Sequence, residues 1–280
     1  MKSYHDIVGD GGSGVVEQVT ELRARIDEAL VGVRRIVAVG SGKGGVGKST
    51  LTMGLARALR RTGAEVAILD ADINGPSQAK LAELETAPLI PEVDGGLTMP
   101  LSADGIGVVS LGTMIPDSAA VEFDSVAEGD THVWRATREF AFMAQLLAGV
   151  RWGKLDYLLA DLPPGAERTF QYAEFLGART DFVLVTIPSV LAQSVVSRSV
   201  AALAGTPNRL LGYVENMSGY YCADCDKVKP LFHADDGAEL PAPCLGRVPF
   251  DPALSAPDAG SPASSSLDEI ARKIRQEISK

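Results

Sequence analysis

Cysteine is scarce in this chain, with three among 280 residues. An odd and small number builds no disulfide framework, which fits a reducing, cytoplasmic compartment. Long apolar runs are also absent. None approaches the roughly 18 residues of a membrane span, and Met1 to Gly14 lacks an apolar core behind positive charge, so no secretory signal is expected. Basic residues are outnumbered, 26 Lys and Arg against 36 Asp and Glu, for a formal charge of -10. That balance argues against free nucleic acid or an anionic membrane as the main partner. There is no internal repeat and no linker that would split the chain. The reading is a flexible, glycine-rich lead-in over residues 1–14 and one domain over 15–280.

What is present is an alternation of short apolar runs with helical patterns. Ile36 to Val39, Val66 to Leu69, Ile106 to Leu111, Tyr157 to Ala160, Phe182 to Ile187, Leu211 to Val214 and Leu245 to Val248 read as strands. Val15 to Val31, Leu51 to Arg61, Thr131 to Val150, Thr169 to Leu176, Val190 to Ala204 and Ser266 to Ile278 read as helices. Such alternation implies an α/β fold, a doubly wound and mostly parallel sheet covered on both faces. Polar strand ends then collect on one edge, where ligands of open α/β sheets bind. The last helix carries Leu267, Ile270, Ala271, Ile274 and Ile278 on one stripe, interspersed with both charge signs and without Trp or Phe, so it is expected to dock on the domain.

The first strand leads into Gly40-Ser41-Gly42-Lys43-Gly44-Gly45-Val46-Gly47-Lys48-Ser49-Thr50. From Gly42 to Ser49 this fits G-x-x-x-x-G-K-[ST], a loop whose glycines let successive N–H groups converge on phosphate oxygens at a helix start. Lys48 is expected to reach the β- and γ-phosphates of ATP, and the Ser49 hydroxyl to ligate Mg²⁺. A P-loop also needs a carboxylate at another strand end. Asp161, ahead of Leu162-Pro163-Pro164-Gly165, is the candidate for holding the metal through its water shell. Asp70 and Asp72, at the end of the second strand, compete to position the attacking water, and spacing does not separate them.

Cys222-Ala223-Asp224-Cys225 is the second informative feature. Two thiolates at this spacing half fill a four-coordinate metal site, and pairing two copies about a two-fold axis would complete it. Zinc and a redox dithiol fit the bare motif as well. Cys244, in an apolar strand, is expected in the core, and His233 is a weak third-ligand candidate.

The motif K-G-G-x-G-K-[ST] resembles the deviant phosphate loop of the MinD, ParA and Mrp group of P-loop ATPases. With Leu69-Asp70-Ala71-Asp72-Ile73-Asn74-Gly75-Pro76-Ser77, Trp134-Arg135, Asp161 to Gly165, Val214 to Ser218 and the C-x-x-C, the chain from about Ile36 to Pro262 resembles the Mrp family of iron-sulfur cluster carrier ATPases. The resemblance implies a MinD-like homodimer with a bridging [4Fe-4S] cluster on paired Cys222 and Cys225, handed to apo-proteins with slow ATP hydrolysis. It implies that Lys43 acts across the dimer like an arginine finger, that Asp72 serves the water with Asp70 in support, and that Asn216 hydrogen-bonds the adenine. A positioning ATPase acting on membrane or DNA, and a zinc-bridged nucleotide-binding dimer, are the alternatives. Where the family commonly continues D-x-P-P-G with Thr, Gly and Asp, this chain has Ala166, Glu167 and Arg168, which bears on switch coupling. Its W-R-G-P is here Trp134-Arg135-Ala136-Thr137.

Overall fold

Ile36–Val39, Val66–Leu69, Leu158–Ala160 and Phe182–Val185 are each buried throughout, the signature of parallel strands sandwiched between helices. A computed structural model describes residues 15–93, 95–113, 132–222, 224–231, 240–255 and 261–280, with only the backbone of 15–16, 132–138, 253 and 255. The chain runs α1 (Val15–Ala29), β1 (Val33–Ser41), α2 (Lys48–Arg61), β2 (Val66–Asp70), the single turn α3 (Gln78–Leu81), β3 (Ile90–Pro91), β4 (Leu97–Thr98) and β5 (Gly107–Val109). It continues through α4 (His132–Gly149), β6 (Leu155–Asp161), α5 (Ala166–Leu176), β7 (Thr180–Thr186), α6 (Val190–Ala204), β8 (Arg209–Cys222), β9 (Lys227–Lys229), β10 (Cys244–Phe250) and α7 (Pro262–Ser279).

The expected doubly wound sheet is present. Its strands lie in the order β10-β8-β7-β1-β6-β2-β5, all parallel, with β9 added antiparallel to β8. β3 and β4 form a separate hairpin. One apolar core lies under α2 and α7, and the other under α1, α4, α5 and α6. Because β1 is flanked by β6 and β7, the chain leaves the sheet centre in both directions, and the phosphate loop opens at that switch point. Register brings the strand ends together: Val39 pairs with Asp161, and Asp161 with Asp70.

Two sequence expectations change, and one strand appears that no pattern indicated. The strand expected at Leu211–Val214 runs on to Cys222, with Met217 in the left-handed region at φ 53. β9, a lone Lys-Val-Lys segment, pairs with that extension and makes a hairpin of the cysteine motif. Cys244 is exposed rather than in the core, because β10 is the edge strand and only part of it, Leu245, Val248 and Pro249, is buried. The lead-in 1–14, His233 and most of the acidic segment after Gly112 lie outside the described residues, as do the side chains of Trp134 and Arg135.

α7 does dock on the domain. Leu267, Ile270, Ala271, Ile274 and Ile278 are buried, against β10 and α2. Among the described residues no helix is long and apolar enough to cross a membrane. Ile274 is 0% exposed, so Ile274→Ala is expected to cost about 2–5 kcal/mol of stability through lost burial and the cavity left behind. A urea unfolding midpoint lowered at unchanged slope is the expected result; an unchanged midpoint would mean that α7 is not integral to the core.

Candidate functional site

The loop between β1 and α2 encloses a cavity of about 230 Å³ lined by Ser41, Lys43, Gly44, Gly45, Val46, Gly47, Lys48, Ser49, Thr50, Asp72 and Pro164. Two glycines are required by close approach. A Cβ on Gly42 would lie 2.8 Å from the Val195 side chain and 2.9 Å from the α6 backbone. Gly47 has φ 78, and its Cβ would fall 2.4 Å from Asn216 Nδ2. Asn216, 6% exposed, donates from Nδ2 to the Val46 carbonyl at 2.8 Å. The residue expected at the base is therefore also a strut under the phosphate loop. Ser41 Oγ donates to the Lys43 carbonyl at 3.0 Å, and Gly165 N to the Ser41 carbonyl at 2.7 Å, which ties the loop to the Pro163-Pro164-Gly165 turn.

Asp161 is 0% exposed and forms a buried ion pair with Lys48. Thr52 Oγ1 lies 3.2 Å from its Oδ1, and Gln78 Nε2 donates to its Oδ2 at 2.8 Å. Asp161 faces α2 and α3 across the sheet end and caps no helix; the N-cap of α5 is Gly165. Lys48 Nζ also lies 3.4 Å from Ser49 Oγ. Lys48, Ser49 and Asp72 line the cavity and Asp161 lies buried against Lys48, so the cation, hydroxyl and carboxylates expected of a phosphate and metal site stand together. Hard oxygens of Ser49, Asp72 and Asp161 beside a glycine-rich helix start suit Mg²⁺ and a nucleotide's phosphates.

The two competing aspartates separate by geometry. Asp70 accepts at Oδ2 from Ser77 N (2.9 Å), Gln78 N (3.0 Å) and Ser110 Oγ (2.9 Å), and at Oδ1 from Asp72 N (3.2 Å). Its oxygens are committed to holding the start of α3. Burial, followed by the Asp161 charge, pushes the Asp70 carboxyl up to about 7, against those donors and Lys48. Asp72 lines the cavity instead. Burial raises its pKa too, while Lys48 pulls it down. Gln78, which no sequence signal singled out, is 0% exposed and bridges Asp161 Oδ2 and the Ser49 carbonyl (3.0 Å).

The departure after D-x-P-P-G has a structural role. Arg168 on α5 ion-pairs with the buried Glu139 on α4. Its guanidinium lies 5.6 and 5.9 Å from the ring centres of Phe140 and Tyr172. The Tyr172 hydroxyl lies 3.1 Å from the Ala71 carbonyl and 3.3 Å from Glu139 Oε1. Ala71 stands between Asp70 and Asp72, so the α4–α5 pair grips the backbone of the aspartate turn.

The thiols sit apart from this cluster. Cys222 ends β8 opposite Lys227, and Cys225 lies exposed in the turn between them. The Cys225 side chain and the backbone N–H groups of Cys225 and Asp224, with Lys229, hold the Cys222 thiol below its ordinary range. Among the described residues no three His, Cys, Asp or Glu side chains converge on a metal position. Cys244 pairs in register with Tyr213, nine residues and at most about 30 Å along β8 from Cys222 at the usual rise of a strand. It belongs to a different end of the sheet.

Residues 32–280 match a ParA-type family model described as NUBPL iron-transfer P-loop NTPase. The chain is 34% identical over 255 residues to an iron-sulfur cluster carrier protein of Saccharolobus solfataricus, covering 89% of this chain and 82% of that protein. It is 36% identical over 271 residues to the cytosolic Fe-S cluster assembly factor NUBP2 of Homo sapiens, covering 88% and 93%. Among solved structures, a nucleotide-binding protein in complex with ADP from Archaeoglobus fulgidus matches with a TM-score of 0.67 at 29% identity, over 89% of this chain and 91% of that one. The septum site-determining protein MinD with Mg-ADP from Pyrococcus horikoshii matches with a TM-score of 0.57 at 19% identity, over 86% and 95%, a likeness of fold alone. The chain belongs to the NUBPL iron-transfer P-loop NTPase family.

Proposed function

We propose that this protein is an ATP-dependent scaffold and carrier of an iron-sulfur cluster. Two copies hold a bridging [4Fe-4S] cluster as cargo on Cys222 and Cys225 of each chain and pass it to apo-proteins. One observation carries the reading: β8, bulged around Met217, links Asn216, which braces the phosphate loop, to the cysteine hairpin. That distance is at most about 20 Å at strand rise. The lowered Cys222 thiol favours the thiolate that iron requires, and two thiols per chain make four in a two-fold pair.

In this reading Lys48 leaves its contact with Asp161 to bind the β- and γ-phosphates, and the loop N–H groups cradle them. Ser49 and Asp161 would hold Mg²⁺, which when bound would neutralise charge building on the phosphate oxygens. Asp72 orients the attacking water. As the water oxygen bonds to the γ-phosphorus, the bond to the β–γ bridging oxygen breaks and ADP and phosphate leave. Lys43, at the mouth of the cavity, serves the partner's phosphates in the dimer. Cluster transfer is ligand exchange, in which each protein thiolate on iron is replaced by one from the recipient and no iron changes oxidation state. The base is reached by Asn216.

Two outcomes test this. Anaerobic reconstitution with iron and sulfide is expected to give a visible thiolate-to-iron band and about four irons per dimer, both lost in Cys225→Ser. A cluster that survives in Cys225→Ser, or zinc alone in the wild type, overturns the carrier reading. Lys43→Ala should bind ATP yet hydrolyse it at least about 10³-fold more slowly, the scale of a lost arginine finger. Lys48→Ala should fail to bind. Mixing the two variants should restore about a quarter of wild-type turnover, since half the random dimers carry one complete site of two. A mixture as inactive as its components would exclude action of Lys43 across the dimer.

A further inference from the structure

Gln78 occupies the first position of α3, a helix of one turn whose start is fixed by Asp70. It is fully buried, yet it extends a long polar side chain toward the sheet edge. Both hydrogens of its amide nitrogen are used, one on Asp161 Oδ2 at 2.8 Å and one on the Ser49 carbonyl at 3.0 Å. Its Oε1 is buried and has no hydrogen-bond partner among the described residues. Turning the amide over does not relieve this. Oε1 would then face a carboxylate oxygen and a carbonyl oxygen, leaving three acceptors against one another.

An orphaned buried acceptor calls for a donor or a cation. The groups Gln78 touches say which. Ser49 supplies the hydroxyl, and Asp161 the carboxylate, to which the reading above assigns Mg²⁺. Gln78 is bonded to both residues and comes from a third element. An amide oxygen is a hard ligand and a good acceptor for water bound to such a cation. We propose that Gln78 is a metal-shell residue of the nucleotide site: Nε2 fixes the Asp161 carboxylate and the Ser49 backbone, and Oε1 accepts a hydrogen bond from water on the nucleotide's Mg²⁺. The proposal rests on the nucleotide part of the proposed function and is independent of the cluster. It also gives the segment from Asp70 to Gln78 two jobs at one site, since Asp72 lies on the same connection. Metal binding and water positioning are thereby joined through a single short stretch of backbone.

The test is ADP binding to the full chain by calorimetry, with free Mg²⁺ buffered from trace to millimolar. In the wild type Mg²⁺ tightens ADP. In Gln78→Leu, of similar size and without the amide, the gain in ADP affinity from Mg²⁺, taken as the ratio of affinities with Mg²⁺ and in chelator, should fall about tenfold or more, the usual scale for loss of an outer-shell ligand. Gln78→Glu keeps an acceptor but sets a charge beside Asp161, so it should weaken ADP in chelator and show a steeper Mg²⁺ dependence than wild type. Circular dichroism verifies the fold of each variant. If Gln78→Leu keeps the full Mg²⁺ gain, or loses ADP affinity equally with and without Mg²⁺, the residue is structural and the proposal falls alone. If the wild type binds no ADP, the nucleotide reading falls, and this proposal with it.

Discussion

The buried carboxylate of Asp161 sets the terms for the site. A charge at 0% exposure is tolerable only when it is paired and its oxygens are hydrogen-bonded. Lys48 supplies the countercharge, while Thr52 and Gln78 approach the two oxygens. Those partners come from α2 and α3, and the carboxylate from β6, so satisfying one charge fixes three elements against each other. Asp70 does the same one strand over. Its acceptance of the Ser77, Gln78 and Asp72 N–H groups holds the turn that carries Asp72 to the cavity.

Two lines of contact leave this centre. One passes through Asn216, whose amide reaches the Val46 carbonyl, and along β8 into the hairpin with Cys222 and Cys225. The other passes from the Ala71 carbonyl to Tyr172, then to Glu139 and Arg168, joining the aspartate turn to α4 and α5. Both are chains of packed or hydrogen-bonded groups between rigid elements. A change in how the phosphate loop is held has a physical route to the thiols and to the helices that carry the Trp134-Arg135 segment.

What was legible in the sequence was local. The phosphate loop announces itself because its glycines, lysine and serine are needed within eight consecutive positions, and the strand before it and helix after it are strongly patterned. Asp161 was legible from its place at an apolar strand end before two prolines. α7 was legible from a 3.6-residue apolar stripe. The misses depend on pairing across the sheet. The apolar run of β8 ends at Val214, where polar Glu215-Asn216-Met217-Ser218 begins, yet Glu215 pairs with Arg247 of β10 and the strand continues. β9 is three residues without pattern, visible only once β8 offers an edge. Cys244 was misplaced because an apolar run does not reveal that its strand lies at the sheet's edge. Gln78 follows Gly-Pro-Ser and matches no motif; only the fold brings it to Ser49 and Asp161. Arg168 read as a departure from a pattern, and its partner Glu139 is 29 residues away.

In the proposed function the nucleotide site and the cysteine hairpin are one mechanical unit joined by β8. Amide hydrogen exchange with and without MgADP measures that directly. Slower exchange is expected at the phosphate loop and also along Asn216–Cys222 and Lys227–Lys229. Protection confined to the loop, the start of α2 and Asp161, with the hairpin unchanged, would contradict it.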